Sequence, residues 1–346
     1  MRHFGRALAA ILTLVAPVLG SGFGPLERSW IAKEAQWLVH MDFEAGASTV
    51  FARLLDSVRG HEAVVATAKD ELGIDPRRDI LGVTIYGNGS VDEPVVVLLS
   101  TTAKLDGLAD RLDRLNKRVE RFDVGTRQAF SFNEDASRRF CGIVNTGTNR
   151  RLVVVTESRP VLERALAVLD SPSLALDGAA AGRMAQSPAA GSVFFVAIGD
   201  TRSAFGSLAA GSTMLKTARS ISIDLGERNG SVFGRLGAIM DSDSTAAGAV
   251  QMAQGMLAMA RMALSGEKLA EHRAAVAMLE TITLSAKGTL LSADFTMPVE
   301  QLFEAAAPLA RQARIAFDRL ADDPSRRSLK VDFSSEPKPA DEPRRQ

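Results

Sequence analysis

The chain has 346 residues, 46 % of them hydrophobic, enough to bury one large core or two ordinary ones. Lys plus Arg equals Asp plus Glu at 41 each, so the basic excess usual in a nucleic-acid binder is absent. Cys141 is the only cysteine, which excludes an intrachain disulfide and leaves stability to the core.

The chain opens as an export signal. "MRHFGR" is a basic start, "ALAAILTLVAPVLG" an apolar run too short to span a bilayer comfortably, and small residues follow. Residues 1–22 are expected to be a signal peptide, with retention as an anchor the alternative, and cleavage leaves a slightly acidic chain. No later stretch suits a transmembrane helix; the most apolar, Ala246 to Leu264, contains Gln251, Gln254 and Arg261. The signal region holds no cysteine for lipid attachment.

Two stretches then follow a similar plan. "AQWLVHMDFEAGASTVFARLL" and "GSVFFVAIGDTRSAFGSLA" each suggest a strand and then a helix. A hairpin comes next in each, "ILGVTIYGNGSVDEPVVVLLS" and "ARSISIDLGERNGSVFGRLGAIM", with Asn-Gly-Ser-Val at the turn. Asn-Gly suits a tight hairpin because both residues tolerate positive φ. Between Ser220 and Leu225, apolar Ile221, Ile223 and Leu225 alternate with Ser220, Ser222 and Asp224, which predicts a sheet wet on one side.

A helix follows in each half. In the first, Leu105, Leu108, Leu112 and Leu115 form one stripe, with Asp110–Arg114 and Asp113–Lys117 spaced to pair on the wet side. "RLDRLNKRVER" reads as a solvated helix face because acids alternate with bases. Each half closes with a hairpin and a helix that has proline near its start: "RRFCGIVNTGTNRRLVVVTES" before "RPVLERALAVL", and "LETITLSAKGTLLSADFT" before "MPVEQLFEAAAPLARQARIAF".

The expected fold is therefore α+β: two similar β-α-β-β-α-β-β-α halves, mainly antiparallel, with helices packed on one face. The expected organisation is a first repeat at 23–170, a linker at 171–190 rich in Ala, Gly, Ser and Pro, a second repeat at 191–321, and a disordered, charged and proline-rich tail at 322–346. In layout, and in strings such as "RRLVVVTESRPVLERALAVLDSPS", the chain resembles large families of uncharacterised exported bacterial proteins; that resemblance carries no site, and the periplasmic or extracellular location is expected from the export signal.

The helical stretch "QMAQGMLAMARMAL" gathers four of the eleven methionines. Met252, Met256 and Met259 fall within about 60° of one another on a helix, and Met262 widens the arc to about 120°. Packing against the sheet is the expectation, since the first half has leucines there. Two functional alternatives are a face for an apolar ligand or partner, with Met252, Met256 and Met259 as its candidate residues, and a soft-metal site. The latter lacks a nearby His or Cys.

"LGAIMDSDST" resembles the first motif of the haloacid-dehalogenase phosphatases. The resemblance implies Asp241 as nucleophile, Asp243 as acid/base and a bound Mg²⁺, with Lys268 or Lys287 and Asp322–Asp323 downstream. Against it, the surroundings lack an alternating β/α pattern, and short polar residues at that point also serve helix capping. His40, His61 and His272 are far apart, "HEAVV" lacks the second histidine of a zinc protease helix, and the glycines of "YGNGSVDEP" lie in a hairpin turn. Cys141 reads as buried and inert; Trp30 and Trp37 read as anchors. The functional expectation is a non-catalytic exported binding or interaction module, without a cofactor or nucleic acid, whose partner is an envelope protein or an apolar ligand. A metal-dependent phosphatase centred on Asp241 and Asp243, and a carrier of an apolar ligand, are the alternatives.

Overall fold

The computed structural model describes residues 26–47, 49, 62–89, 94–134, 137–176, 184, 187–205, 216–265 and 270–302. The expected signal peptide, the tail, His61, Lys268 and Asp322–Asp323 lie outside the described residues.

The chain is α+β. Its centre is an antiparallel sheet of twelve strands: β1 (Trp37–Asp42), β2 (Ile80–Gly87), β3 (Val96–Thr101), β4 (Glu120–Val124), β5 (Arg127–Glu134), β6 (Ser137–Gly147), β7 (Arg150–Thr156), β8 (Ser192–Ile198), β9 (Ala218–Arg228), β10 (Ser231–Met240), β11 (Thr283–Lys287) and β12 (Leu290–Pro298). Their order is β11-β12-β10-β9-β8-β1-β2-β3-β7-β6-β5-β4. β1 and β8 lie side by side, with Val39 opposite Val196, so both halves of the chain share one sheet.

Among the described residues the α-helices are α1 (Phe43–Ala47), α2 (Glu62–Leu72), α3 (Pro76–Asp79), α4 (Leu108–Arg114), α5 (Arg159–Asp170), α6 (Thr201–Phe205), α7 (Asp243–Ser265) and α8 (Ala270–Thr281). They do not all lie on one face. Every residue of β2 is buried, which requires cover on both sides. On one face Val39, Met41, Val83 and Ile85 pack with Phe43 of α1 and Ala204 of α6. The register carries that face outward through Ile223, and there Ile221, Ala238 and Leu291 meet Ala246 and Val250 of α7. On the other face Leu38, Tyr86, Leu98 and Val154 pack with Leu162 and Leu166 of α5.

The described residues of the expected linker, 171–176, 184 and 187–190, belong to that second layer. Leu176 N–H donates to Ile31 O at 2.7 Å, Lys33 N–H to Leu174 O at 2.9 Å, and Ala32 bridges Ala175. Leu176 and Met184 are buried. This cover also corrects the expectation of a wet face on β9. Ser220, Ser222 and Asp224 are all buried, and Asp224 Oδ2 accepts from Ala189 N–H at 2.8 Å. Leu225, from the alternate apolar set, is 38 % exposed.

Of the two expected Asn-Gly turns the one in the second half holds; in the first half β2 ends at Gly87 and β3 begins at Val96, so Asn88-Gly89 does not join them as a two-residue turn. Asn229 and Gly230 adopt φ of 53° and 72° between β9 and β10, as an Asn-Gly hairpin requires. Gly87 leaves room for the Trp37 ring, which lies 2.6 Å from the position a Cβ would take. The β4–β5 hairpin was not expected. Asn116 and Arg118 take φ of 58° and 49°, which ends α4 early and turns the basic stretch into a strand. Asp110 then pairs with Arg121 of β4, and Asp113 accepts from Val119 N–H at 3.3 Å, in place of the expected helical pairs.

Candidate interaction surface

Helix α7 begins where β10 ends. Ser242 Oγ accepts from Thr245 N–H at 3.2 Å, and Asp243 sits in the first turn, where a carboxylate favours the positive end of the helix dipole. The string "DSDST" thus works as a helix start. Asp241 is held by Arg202 at 3.0 Å and Arg219 at 3.1 Å, an ion-paired setting on the surface. Among the described residues no group of three or more His, Cys, Asp and Glu side chains is placed to hold a metal ion.

The orientation of α7 corrects the packing expectation for the methionines. Ala246 and Val250 are buried, and Ala253, Leu257 and Ala260 continue the same side. Met252, Met256, Met259 and Met262 are 58 %, 60 %, 60 % and 68 % exposed. The reason is that α7 is apolar nearly all round, so two sides compete for the sheet. The alanine side lets the helix approach closely, and dense contact there outweighs the larger methionines.

The outward side is chemically unusual for a solvent-facing helix. From Ser244 to Ala260 it holds no charged residue. Arg261 is drawn inward, its Nη2 donating to Leu279 O of α8 at 2.6 Å. Full burial of a methionine side chain is worth about 1.5–3 kcal/mol, a gain largely forgone here. Contiguous exposed apolar side chains of this kind mark interaction sites.

Gly248 and Gly255 lie on the same side. A Cβ at either would meet nothing within 4 Å. Neither glycine is required by packing within the chain, yet each costs about 1 kcal/mol relative to alanine in a helix. Gly248, Met252, Gly255, Met259 and Met262 follow a 4-3-4-3 spacing and span about 80° of arc, opposite the Val250–Leu257 side. In the sequence Gly248 and Gly255 already share the methionine face; what went unread was the heptad spacing that joins them to it.

The remaining candidates are less developed. His40, on the α5 side of the sheet, is buried, and its Nδ1 lies 2.9 Å from Thr84 Oγ1 while Nε2 has no partner. Burial pushes its pKa down to about 4. It borders a cavity of about 150 Å³ with Thr84, Ser100, Trp30 and Arg150. Nearby on the strand, burial raises Asp42 to about 6 against the lowering hydrogen bond from Ala45 N–H. A groove of about 600 Å³ runs between α4 and β4–β7, floored by Leu108, Phe130 and Ile143. Its arginines are engaged within the chain, Arg121 with Asp110, Arg127 with Asp170, and Arg151 with Ala103 O at 3.0 Å. Cys141 is 2 % exposed, and burial pushes its thiol up to about 12, against any nucleophilic role. Trp37 donates from Nε1 to Gly89 O at 3.1 Å.

No protein-family profile and no curated protein matches the chain. Among solved structures, three crystal forms of TP0453 are similar in part. Form I aligns at 9 % identity over 84 % of this chain and 98 % of that one, with a TM-score of 0.39. Form III aligns at 8 % over 83 % and 99 %, with 0.41, and form IV at 10 % over 84 % and 97 %, with 0.44. A likeness this slight assigns no function. Among the described residues no helix is long and apolar enough to cross a membrane.

Proposed function

We propose that the protein is exported to the periplasm or cell envelope and acts there without catalysis, as an interaction module whose working surface is the outward side of α7. The observation that carries this reading is the charge-free methionine side of a 23-residue helix. Methionine side chains are flexible and polarizable, which suits a contact surface that must adapt. The export part rests on the basic and apolar opening of the chain.

We also propose that the two halves are copies of one unit. Counted outward from the central β1–β8 pair, the strand orders β1-β2-β3-β7-β6 and β8-β9-β10-β12-β11 correspond step by step. The β4–β5 hairpin is then an addition to the first copy.

The test places a photoreactive benzoyl-phenylalanine at Met256 or at exposed Lys287 in the exporting host. A discrete crosslinked adduct from position 256 and none from 287 is the expected result. Equal labelling from both positions would sink the α7 surface. The phosphatase alternative is checked with a phosphate ester and Mg²⁺: turnover that disappears in Asp241→Asn, with folding intact, would overturn the non-catalytic reading.

A further inference from the structure

The outward side of α7 is self-complementary, and we infer that its partner is a second copy of this chain, docked through an antiparallel α7–α7 pair about a twofold axis at Gly255. This inference rests on α7 being an interaction surface at all.

The seam is Gly248, Met252, Gly255, Met259 and Met262, with the 4-3-4-3 spacing of a helix pair. Laid antiparallel on itself about Gly255, it places Met252 of one copy against Met259 of the other, and Gly255 against Gly255. Gly248, which has open space around it, faces Met262. Large residues meet small ones at the ends, and the central glycines let the backbones approach closely. A parallel pair would stack glycine on glycine and methionine on methionine at every layer, leaving gaps beside bulk.

The electrostatics agree. With no charge from Ser244 to Ala260, two copies meet without repulsion and without removing an ion from water. Antiparallel α7 helices also set opposite dipole ends side by side. A twofold contact repeats each interaction, as isologous interfaces do.

The area sets the strength. α7 has 23 residues and is about 34 Å long. One helix pair falls toward the low end of specific interfaces, which bury about 800 Å² per partner. A dimer that dissociates on dilution follows.

The test is sedimentation velocity of the exported chain across the micromolar range, joined to disulfide trapping. Cys141 is buried and stays out of the reaction. Wild type is expected to shift from monomer to dimer with concentration. Met252→Asp is expected to stay monomeric with an unchanged circular-dichroism spectrum. Oxidised Gly255→Cys is expected to form a linked dimer. Met252→Cys mixed with Met259→Cys is expected to link, whereas Met252→Cys alone does not. Linking of Met252→Cys to itself overturns the antiparallel pair. A wild type that remains monomeric, with Gly255→Cys unlinked, overturns self-association. In that case the photoreactive group at 256 separates the two failures: a discrete adduct with another molecule leaves the interaction surface standing, and none removes it too. Flotation with phosphatidylcholine vesicles by a monomeric wild type, lost in Met252→Asp, likewise overturns the self-pair in favour of a lipid surface.

Discussion

Helices α5 and α7 lie on opposite sides of the same sheet and solve the same problem in opposite ways. α5 has four charged residues in twelve and one clear apolar side, where Leu162, Ala165, Leu166 and Val168 are buried. Its outward residues are engaged: Arg159 pairs with Glu163 at 2.9 Å and lies over the Phe122 ring, and Asp170 pairs with Arg127. α7 has two charged residues in twenty-three and turns Ala246, Val250, Ala253, Leu257 and Ala260 toward the sheet, keeping its methionines outside. Amphipathic pattern decides which side of α5 is buried. In α7 close approach decides, and what remains outside is a surface with chemistry of its own.

The sharpest way to break this comparison is on the α5 side. Leu166 is 2 % exposed, and its methyl groups lie 3.2 Å from the position a Cβ on Gly142 would take. Truncation leaves a cavity that a sheet on one side and a helix on the other cannot close. Leu166→Ala is expected to cost about 2–5 kcal/mol, seen as a lower urea midpoint at unchanged slope. A loss near zero would mean that α5 is no firmer than the outside of α7.

The next effect is read by pH and comes from two groups of β1 shifted by burial, beneath the α5 layer and at its edge. His40 titrates near 4 when folded, because burial disfavours the imidazolium, against 6.5 when unfolded. Its contribution to stability is whole above pH 6.5 and is lost as pH falls through 4, about 3 kcal/mol in all. Asp42 has the opposite sign. Its folded pKa is raised to about 6, chiefly by burial, so its contribution is present below 3.8 and lost as pH rises through 6. Unfolding measured between pH 7 and 4 is expected to lose its acid weakening in His40→Asn and to steepen in Asp42→Asn. Asp42→Asn is also expected to be more stable than wild type at pH 7. Unchanged slopes in both variants would remove the assignment.

A smaller effect belongs to α7. Gly255→Ala places a methyl group in open space on a helix, so the isolated monomer is expected to gain about 0.5–1 kcal/mol in thermal or urea unfolding at dilution. A natural position that a single methyl group would stabilise asks for a reason outside the monomer. A loss of stability would place something against Gly255 within the chain.

How much of this was legible follows the same division. Strands with alternation and Asn-Gly turns stood out, because β9–β10 needs positive φ at Asn229 and Gly230 and the sequence supplies both. Pro160 marked the start of α5 for a similarly local reason. The β4–β5 hairpin was hidden because "RLDRLNKRVER" has helical charge spacing, and only backbone at Asn116 and Arg118 breaks it. The buried serines of β9 and the placement of 171–176 depend on a distant segment folding over the sheet, which no local pattern records. The side α7 buries was misjudged because the leucine stripe of the first half suggested that the methionines face the sheet, whereas distance of approach favoured the opposite side.

The smallest expected change in stability is the one that most sharpens the contrast. Met256 and Met259 are each 60 % exposed, so replacing both with glutamate leaves little packing to lose. Surface changes of this kind stay within about 0.5 kcal/mol. The acids would stand on a side without charges from Ser244 to Ala260, so no repulsion from the helix itself opposes them. In dilute solution, Met256→Glu/Met259→Glu is expected to unfold at nearly the wild-type urea concentration while losing binding of a fluorescent apolar dye such as anilinonaphthalene sulfonate. Retained dye binding would place the apolar surface elsewhere, and a large drop in stability would mean these methionines belong to the core after all. Loss of the surface without loss of the fold is what distinguishes a side chain kept outside for contact from one left outside by poor packing, because only the former leaves the sheet beneath α7 complete without it.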